Sequence, residues 1–290
     1  MRQPIEPDVP AGLLGALQPD KHLAFSALNL HSTLVRGIED LGFVRPTPIQ
    51  SQAIPHALEG RDLLACAATG SGKTAAFLLP ILHQLMEHPR GTTRALVLAP
   101  TRELALQILD DLKGLARHTG LKAAAVHGGV SMGPQEKAFR KGADVIIATP
   151  GRLLDHFQYD YAMLSGLEYL VLDEADRMLD MGFLPDIRRV LRHVPKPRQT
   201  FFFSATMPPP IEKLTHEILR APAKIALQRR AAPARGIAQT VYPVPTGLRG
   251  ALLVELLTRG HIEDALVFTR TKHRADRLAK LLNRCLLYTS

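Results

Sequence analysis

The sequence predicts an α/β domain, a doubly wound parallel sheet with helices on both faces. Between about residues 62 and 228, short β-rich runs alternate with helix-length stretches. That order suits a parallel sheet, because each crossover must carry the chain back across a face. Several of the runs are nearly all apolar, as strands covered on both faces are. The chain has 290 residues, 46% hydrophobic and 22% charged, enough for a substantial core without staples.

The predicted strands are 62–66 (DLLAC), 94–99 (RALVLA), 122–127 (KAAAVH), 143–148 (ADVIIA), 168–173 (EYLVLD), 199–204 (QTFFFS) and 223–227 (AKIAL). Between them, 103–118 places Leu104, Ile108, Leu112 and Leu115 at helical spacing. The stretch 228–236 (QRRAAPARG) is basic and aperiodic and reads as a linker. Beyond it, 238–244 and 264–269 predict strands, and 247–258 and 271–283 predict helices. This is the start of another α/β unit, too short to close a core of its own.

Composition excludes several classes. Gly 21 and Pro 22 are too few and scattered for a collagen-like or low-complexity chain. No run reaches the ~18–20 apolar residues that cross a bilayer, and the N-terminus lacks the apolar stretch of a signal peptide. Two cysteines, Cys66 and Cys285, make no disulfide framework and fit a reducing, cytoplasmic setting. Twelve histidines show no metal-ligand spacing. The net charge of +9 is uneven: residues 1–176 hold 16 basic and 19 acidic side chains, and 177–290 hold 20 and 8. Such an excess suits a solvated basic surface or a polyanionic partner. With no Trp and 5% aromatics, gripping a backbone is favoured over stacking on bases.

The strongest local signal is Ala67-Ala68-Thr69-Gly70-Ser71-Gly72-Lys73-Thr74, between a predicted strand and an apolar helix. Glycines let the backbone wrap a phosphate, and the helix N-terminus adds positive potential. Lys73 would reach the β- and γ-phosphates, and the Thr74 hydroxyl would ligate Mg²⁺. Downstream, Leu170-Val171-Leu172-Asp173-Glu174-Ala175-Asp176 ends a strand in carboxylates. Asp173 would hold Mg²⁺ and Glu174 would orient or deprotonate an attacking water. Together these predict a nucleoside triphosphatase, with Glu174, Asp173 and Lys73 catalytic.

Asp173 through Asp176 also spell the signature of the DEAD-box RNA helicases, which the sequence resembles over about 23–283. Gly42 to Gln50 (GFVRPTPIQ) looks like the family's Q motif, with Phe25 at the place of its adenine-stacking aromatic. Pro100-Thr101-Arg102 opens a stretch like motif Ia, Gly128-Gly129 the GG doublet, and Thr149-Pro150-Gly151-Arg152 motif Ib. Ser204-Ala205-Thr206 resembles motif III, and Val267 to Arg270 motif IV. Segments 241–244 and 267–273 are similar to the bacterial RhlE-type subgroup.

The resemblance implies a RecA-like P-loop lobe over 23–228, preceded by an extension, 1–22. A linker, 229–237, then leads to an incomplete second RecA-like lobe, 238–283, and a tail, 284–290, unlike the family. It implies ATP bound by Phe25, Gln50 and residues 67–74, and Mg²⁺ at Thr74 and Asp173. Sequence-nonspecific RNA would lie on Pro100, Thr101, Arg102, Gly128, Gly129, Thr149, Pro150, Gly151 and Arg152. Asp176, Ser204 and Thr206 would couple hydrolysis to unwinding. The implied function is an ATP-dependent RNA helicase. The alternative is an ATP-gated RNA clamp, or a factor that remodels RNA–protein complexes or acts as an RNA chaperone. The expected protein is a monomer without a membrane partner, and its parent could meet RNA-processing, ribosome-assembly or degradosome proteins. Two departures stand out: Ala68 replaces the family's usual Gln, and motifs V and VI do not occur. The expectation is therefore a truncated chain that binds nucleotide weakly and hydrolyses it poorly.

Overall fold

The structure, a computed structural model, describes residues 24–87, 91–227, 238, 240–259, 262 and 264–284. The proposed extension 1–22, the linker 229–237 and nearly all of the tail lie outside the described residues. The chain divides into two compact units, Met1–Arg230 and Ala231–Ser290.

In the first unit a 3-10 turn, Phe25–Leu28, precedes α1 (Ser32–Asp40), α2 (Pro48–Leu58), β1 (Leu63–Cys66) and α3 (Lys73–Met86). There follow β2 (Ala95–Leu98), α4 (Arg102–Leu115), β3 (Ala123–Val126), α5 (Gly133–Arg140), β4 (Val145–Ala148) and α6 (Pro150–His156). The unit continues with β5 (Tyr169–Leu172), α7 (Ala175–Asp180), α8 (Leu184–Leu191), β6 (Gln199–Ser204), α9 (Pro209–Ile218) and β7 (Ala223–Ala226). All seven predicted strands form. They make one parallel sheet in the order β3-β4-β2-β5-β6-β1-β7.

Side chains of a strand alternate between faces, and here both faces are covered. Ala95, Val97, Val145, Ile147, Val171, Phe201 and Phe203 bury into one apolar cluster with α1 to α4. Leu96, Leu98, Ile146, Ala148, Leu170, Leu172 and Phe202 bury into the other, with α6 to α9. This is why the strands read as continuous apolar runs. Because every strand points the same way, all carboxyl ends share one edge, where ligands bind in folds of this kind.

Asp62 staples the opposite edge. Its Oδ1 accepts the Thr200 N–H at 2.7 Å and its Oδ2 the Arg220 N–H at 2.7 Å, while its carbonyl accepts the Ala223 N–H at 2.8 Å. One buried carboxylate thus fixes the entries of β6 and β7 beside β1.

The second unit holds a 3-10 turn, Thr246–Leu248, then α10 (Arg249–Arg259) and α11 (Lys272–Arg284), which pack together through Gly250 and Leu281. The strands expected at 238–244 and 264–269 are corrected here. No described residue in either segment is in a strand, and Leu266 and Phe268 are 83% and 86% exposed. A β-rich run becomes a strand only beside another that pairs its backbone, and among the described residues neither run has one.

Replacing Asp62 by Ala strands two buried N–H donors, so it should cost about 3 kcal/mol in urea unfolding. Asp62→Asn, which keeps one acceptor, should cost roughly half as much. Equal, negligible losses for both would remove the staple from this account.

Candidate functional site

At the carboxyl end of β1 the chain turns through residues 67–72 into α3. The Ala67 N–H donates to the Ser204 carbonyl at 3.1 Å, prolonging the β1–β6 ladder. Ser71 Oγ donates to the Ala68 carbonyl at 2.7 Å and closes the loop. Gly70 and Gly72 have φ of +78° and +92°, in the left-handed region. A Cβ at Gly72 would stand 2.6 Å from Gln50 Nε2 and 2.8 Å from Thr47 Oγ1, so only glycine fits.

Thr69, Gly70, Gly72, Lys73 and Thr74 line a cleft of about 590 Å³, together with Gln50, Asp173 and Glu174. Ala67 is buried in the core, and Ala67, Ala68 and Ser71 shape the loop without lining the cleft. Lys73 Nζ is buried and has no hydrogen-bond partner among the described residues. Asp173 Oδ1 faces it at 3.9 Å. An ammonium buried without hydrogen bonds is costly, and an anion in the cleft would supply them.

Burial pushes the Asp173 carboxyl up to about 6; Lys73 opposes this, and the Glu174 charge adds to it. Glu174 adopts φ 51°, ψ 49°, a left-handed conformation strained for a non-glycine residue, and caps α7. Its Oε2 accepts from Arg177 at 3.0 Å, and its N–H donates to Asp173 Oδ1 at 2.9 Å. Two residues on, Asp176 Oδ2 accepts both the Thr206 N–H at 2.9 Å and the Thr206 hydroxyl at 2.8 Å. The Asp176 N–H donates to Ser204 Oγ, whose hydroxyl donates to the Thr206 carbonyl. Burial alone would raise the Asp176 carboxyl, but these hydrogen bonds outweigh it and hold it below its ordinary value.

Gln50 and Phe25 occupy places the sequence did not reveal. Gln50 Oε1 accepts the Thr47 N–H at 2.9 Å, and Nε2 donates to the Gly72 carbonyl at 3.0 Å. This amide therefore ties the start of α2 to the glycine loop, keeping one donor and one acceptor position for a ligand. Phe25 is 5% exposed, sits in the core cluster and does not line the cleft. Phe43, 42% exposed, is the aromatic in the cleft wall.

Leu104, Gln107, Asp111 and Leu115 of α4, and Arg177 of α7, also line the cleft, and none was among the predicted site residues. The helical spacing of the α4 residues was the available signal. Which face of α4 would meet the cleft was not in it.

The remaining predicted residues gather at the ends of neighbouring strands β2, β4 and β3, and of them Thr101 also lines the cleft. Thr101 caps α4, its Oγ1 accepting the Leu104 N–H at 3.2 Å, with Arg102 exposed beside it. Gly128 and Gly129 are exposed; Gly129 has φ +80°, and a Cβ there would stand 3.3 Å from the Arg102 guanidinium. Thr149 and Gly151 are partly exposed at the start of α6, and Pro100 and Pro150 are buried. Arg152 folds inward: its Nε donates to the His127 carbonyl at 3.1 Å and its Nη2 to the Val130 carbonyl. Its side chain thereby clamps the glycine pair.

Among the described residues, no cluster of His, Cys, Asp and Glu has the makings of a metal site, and no helix is long and apolar enough to cross a membrane.

Comparison with known proteins agrees with this geometry. The model of the DEAD/DEAH box helicase family matches residues 47–214. The chain is 44% identical over 269 residues to the ATP-dependent rRNA helicase RRP3 of Candida albicans, covering 91% of this chain and 50% of the relative. It is 42% identical to the DEAD-box ATP-dependent RNA helicase RhpA of Helicobacter pylori, over 89% of this chain and 52% of the relative. It is 40% identical to CshA of Bacillus cereus, a DEAD-box ATP-dependent RNA helicase, over 89% and 49%. The chain thus spans about half the length of the curated relatives it matches. With its glycine loop, carboxylate strand end and doubly wound sheet all in register with that match, the chain belongs to the DEAD/DEAH box helicase family.

Proposed function

We propose that this protein is an ATP-dependent RNA helicase, hydrolysing ATP in the cleft and gripping RNA on the adjoining loops. One observation carries the reading: a buried Lys73 ammonium without hydrogen bonds among the described residues faces a buried carboxylate inside a glycine-shaped cradle. That arrangement suits a polyanion accompanied by a cation. Lys73 would take the β- and γ-phosphates, and Thr74 with Asp173 would hold Mg²⁺, whose charge neutralises the phosphate oxygens when bound. Glu174, locked by Arg177 at the mouth of α7, would position and deprotonate the attacking water. Gln50 and Phe43, with Leu41, which also lines the cleft, would receive the base.

RNA would lie across Thr101, Arg102, the Gly128–Gly129 pair, Thr149 and Gly151. Backbone N–H groups and small hydroxyls there hold phosphates without reading sequence. Asp176 belongs to the carboxylate segment and is clasped by Thr206 from the end of β6, which supports a coupling role for that link. The names of RRP3, RhpA and CshA support ATP and RNA as ligands. A cytoplasmic monomer near the RhlE-type subgroup remains our reading of composition and of segments 241–244 and 267–273.

Two outcomes test this. Glu174→Gln should leave binding of a fluorescent ATP analogue within about twofold, yet slow single-turnover hydrolysis by about 10²-fold or more. Unchanged hydrolysis would remove Glu174 as base. The pH dependence follows from Asp173. Its carboxyl lies above the ordinary 3.8, at about 6, in the free protein. Binding a cation there requires release of that proton below pH 6. Affinity for Mg²⁺ with nucleotide should therefore be flat above neutrality and fall up to about tenfold per pH unit below about 6. Asp173→Asn should abolish that pH dependence. A wild-type titration that stays flat to pH 5 would contradict the assignment.

A further inference from the structure

Between α5 and α6 lies a hydrogen-bonded set of side chains with no part in the chemistry described above. Gln135 is 5% exposed and His156 is fully buried. Gln135 Nε2 donates to the His127 carbonyl at 3.1 Å and more weakly to the Ser131 carbonyl at 3.4 Å. Since its amide nitrogen serves carbonyls, its Oε1 must be the end that meets His156 Nε2, at 3.2 Å. His156 therefore carries its proton on Nε2, and its Nδ1 accepts from the Tyr161 hydroxyl at 2.9 Å. Burial first, and then the Arg152 charge, lower the pKa of His156, which keeps the ring neutral as this tautomer requires. Tyr161 is itself held: the Tyr159 ring stacks on it at 5.5 Å, and the Arg140 guanidinium lies 5.0 Å over its ring.

Every bond the set makes to backbone falls on one stretch. The His127 carbonyl takes Gln135 from one side and Arg152 from the other, and the Ser131 and Val130 carbonyls are held in the same way. The three residues so fixed, His127, Val130 and Ser131, bracket Gly128 and Gly129, which have no side chain to fix themselves. Stability alone does not call for polar groups here, because apolar residues of the same shape often serve a buried site equally well.

We propose that Gln135, His156 and Tyr161 are positioning residues for RNA binding, holding the Gly128–Gly129 N–H groups in place from beneath while Arg152 holds them from the side. The proposal rests on the RNA-binding reading of this surface. It adds that the loop is pre-organised by a tautomer-defined histidine, so that ordering the loop is not charged against RNA affinity.

The test is fluorescence anisotropy of the 290-residue chain with a fluorescein-labelled oligouridylate, titrated across salt concentrations. Gln135→Met, which removes both ends of the relay, should weaken RNA binding about fivefold or more. Tyr161→Phe, which removes one hydroxyl and is safe for folding, should weaken it about twofold. Binding of a fluorescent ATP analogue should stay unchanged in both. Neither variant removes a cation, so the slope of log affinity against log salt should also stay unchanged. Arg102→Ala, a direct contact, should lower that slope by about 0.7. If Arg102→Ala weakens RNA binding while Gln135→Met and Tyr161→Phe leave it intact, the positioning role is overturned. If the unaltered chain does not bind the oligouridylate, or Arg102→Ala binds it as well as wild type, the surface reading beneath the proposal fails instead. A reduced salt slope in Gln135→Met would make Gln135 a proxy for a lost phosphate contact and overturn the positioning role as well.

Discussion

Lys73 and Asp173 face each other at 3.9 Å in the interior, and much of the structure answers to that confrontation. Two opposite charges attract, yet removing both from water costs several kcal/mol per ion. The Asp173 carboxyl records which effect wins: burial raises it to about 6 despite the ammonium beside it. As its folded value exceeds its ordinary one, this group favours folding at low pH, and that contribution is lost as pH rises through about 6. The free cleft is therefore the less comfortable state. A polyanion with a cation would give the ammonium its acceptors and the carboxylate its counter-charge, so binding would relieve a cost already built into the fold.

Holding that pair in place requires the rest of the sheet. Lys73 opens α3 after β1, and Asp173 follows β5, with β6 lying between those strands. Parallel register sets Cys66 opposite Ser204 and Leu172 opposite Phe202, so the two strand ends lie two residues apart along β6. Asp62, at the other end, fixes where β6 and β7 begin beside β1. The same register divides the functional edge. Strands β1 and β5 end in the cleft motifs and β6 in the Ser204–Thr206 link to Asp176, while β2, β4 and β3 end in the loops proposed to hold RNA. β2 and β5 are neighbours, and Thr101 lines the cleft as well as capping α4. The two halves meet at that residue.

Legibility differed by the kind of signal. Glycine loop and carboxylate strand end were readable because their chemistry is local: a few consecutive residues both form the turn and carry the ligand groups. The strands were readable because two covered faces leave unbroken apolar runs, as in β4 and β5. Phe25 was not, since an aromatic in an amphipathic stretch looks the same whether it faces a ligand or the core. Arg152 was not either. A guanidinium in the first turn of a helix suits a phosphate as well as it suits two backbone carbonyls, and only the position of 127–130 decides between them. The segments 238–244 and 264–269 have strand composition without a strand, because pairing is supplied from outside the segment.

The sequence by itself determined the sheet's strands, the glycine loop, the carboxylate pair and the family, because each is written in contiguous residues whose backbone demands are local. Only the tertiary structure decided that Gln50 spans from α2 to the Gly72 carbonyl, and that Phe43 rather than Phe25 lines the cleft. It alone showed that Glu174 sits in a strained left-handed turn, and that a buried glutamine and histidine and a half-buried tyrosine form a relay ending on the carbonyl before the glycine pair. These are contacts between residues far apart in the chain or choices of one side-chain direction among several. Their outcome is set by what else packs against them, which no local pattern records.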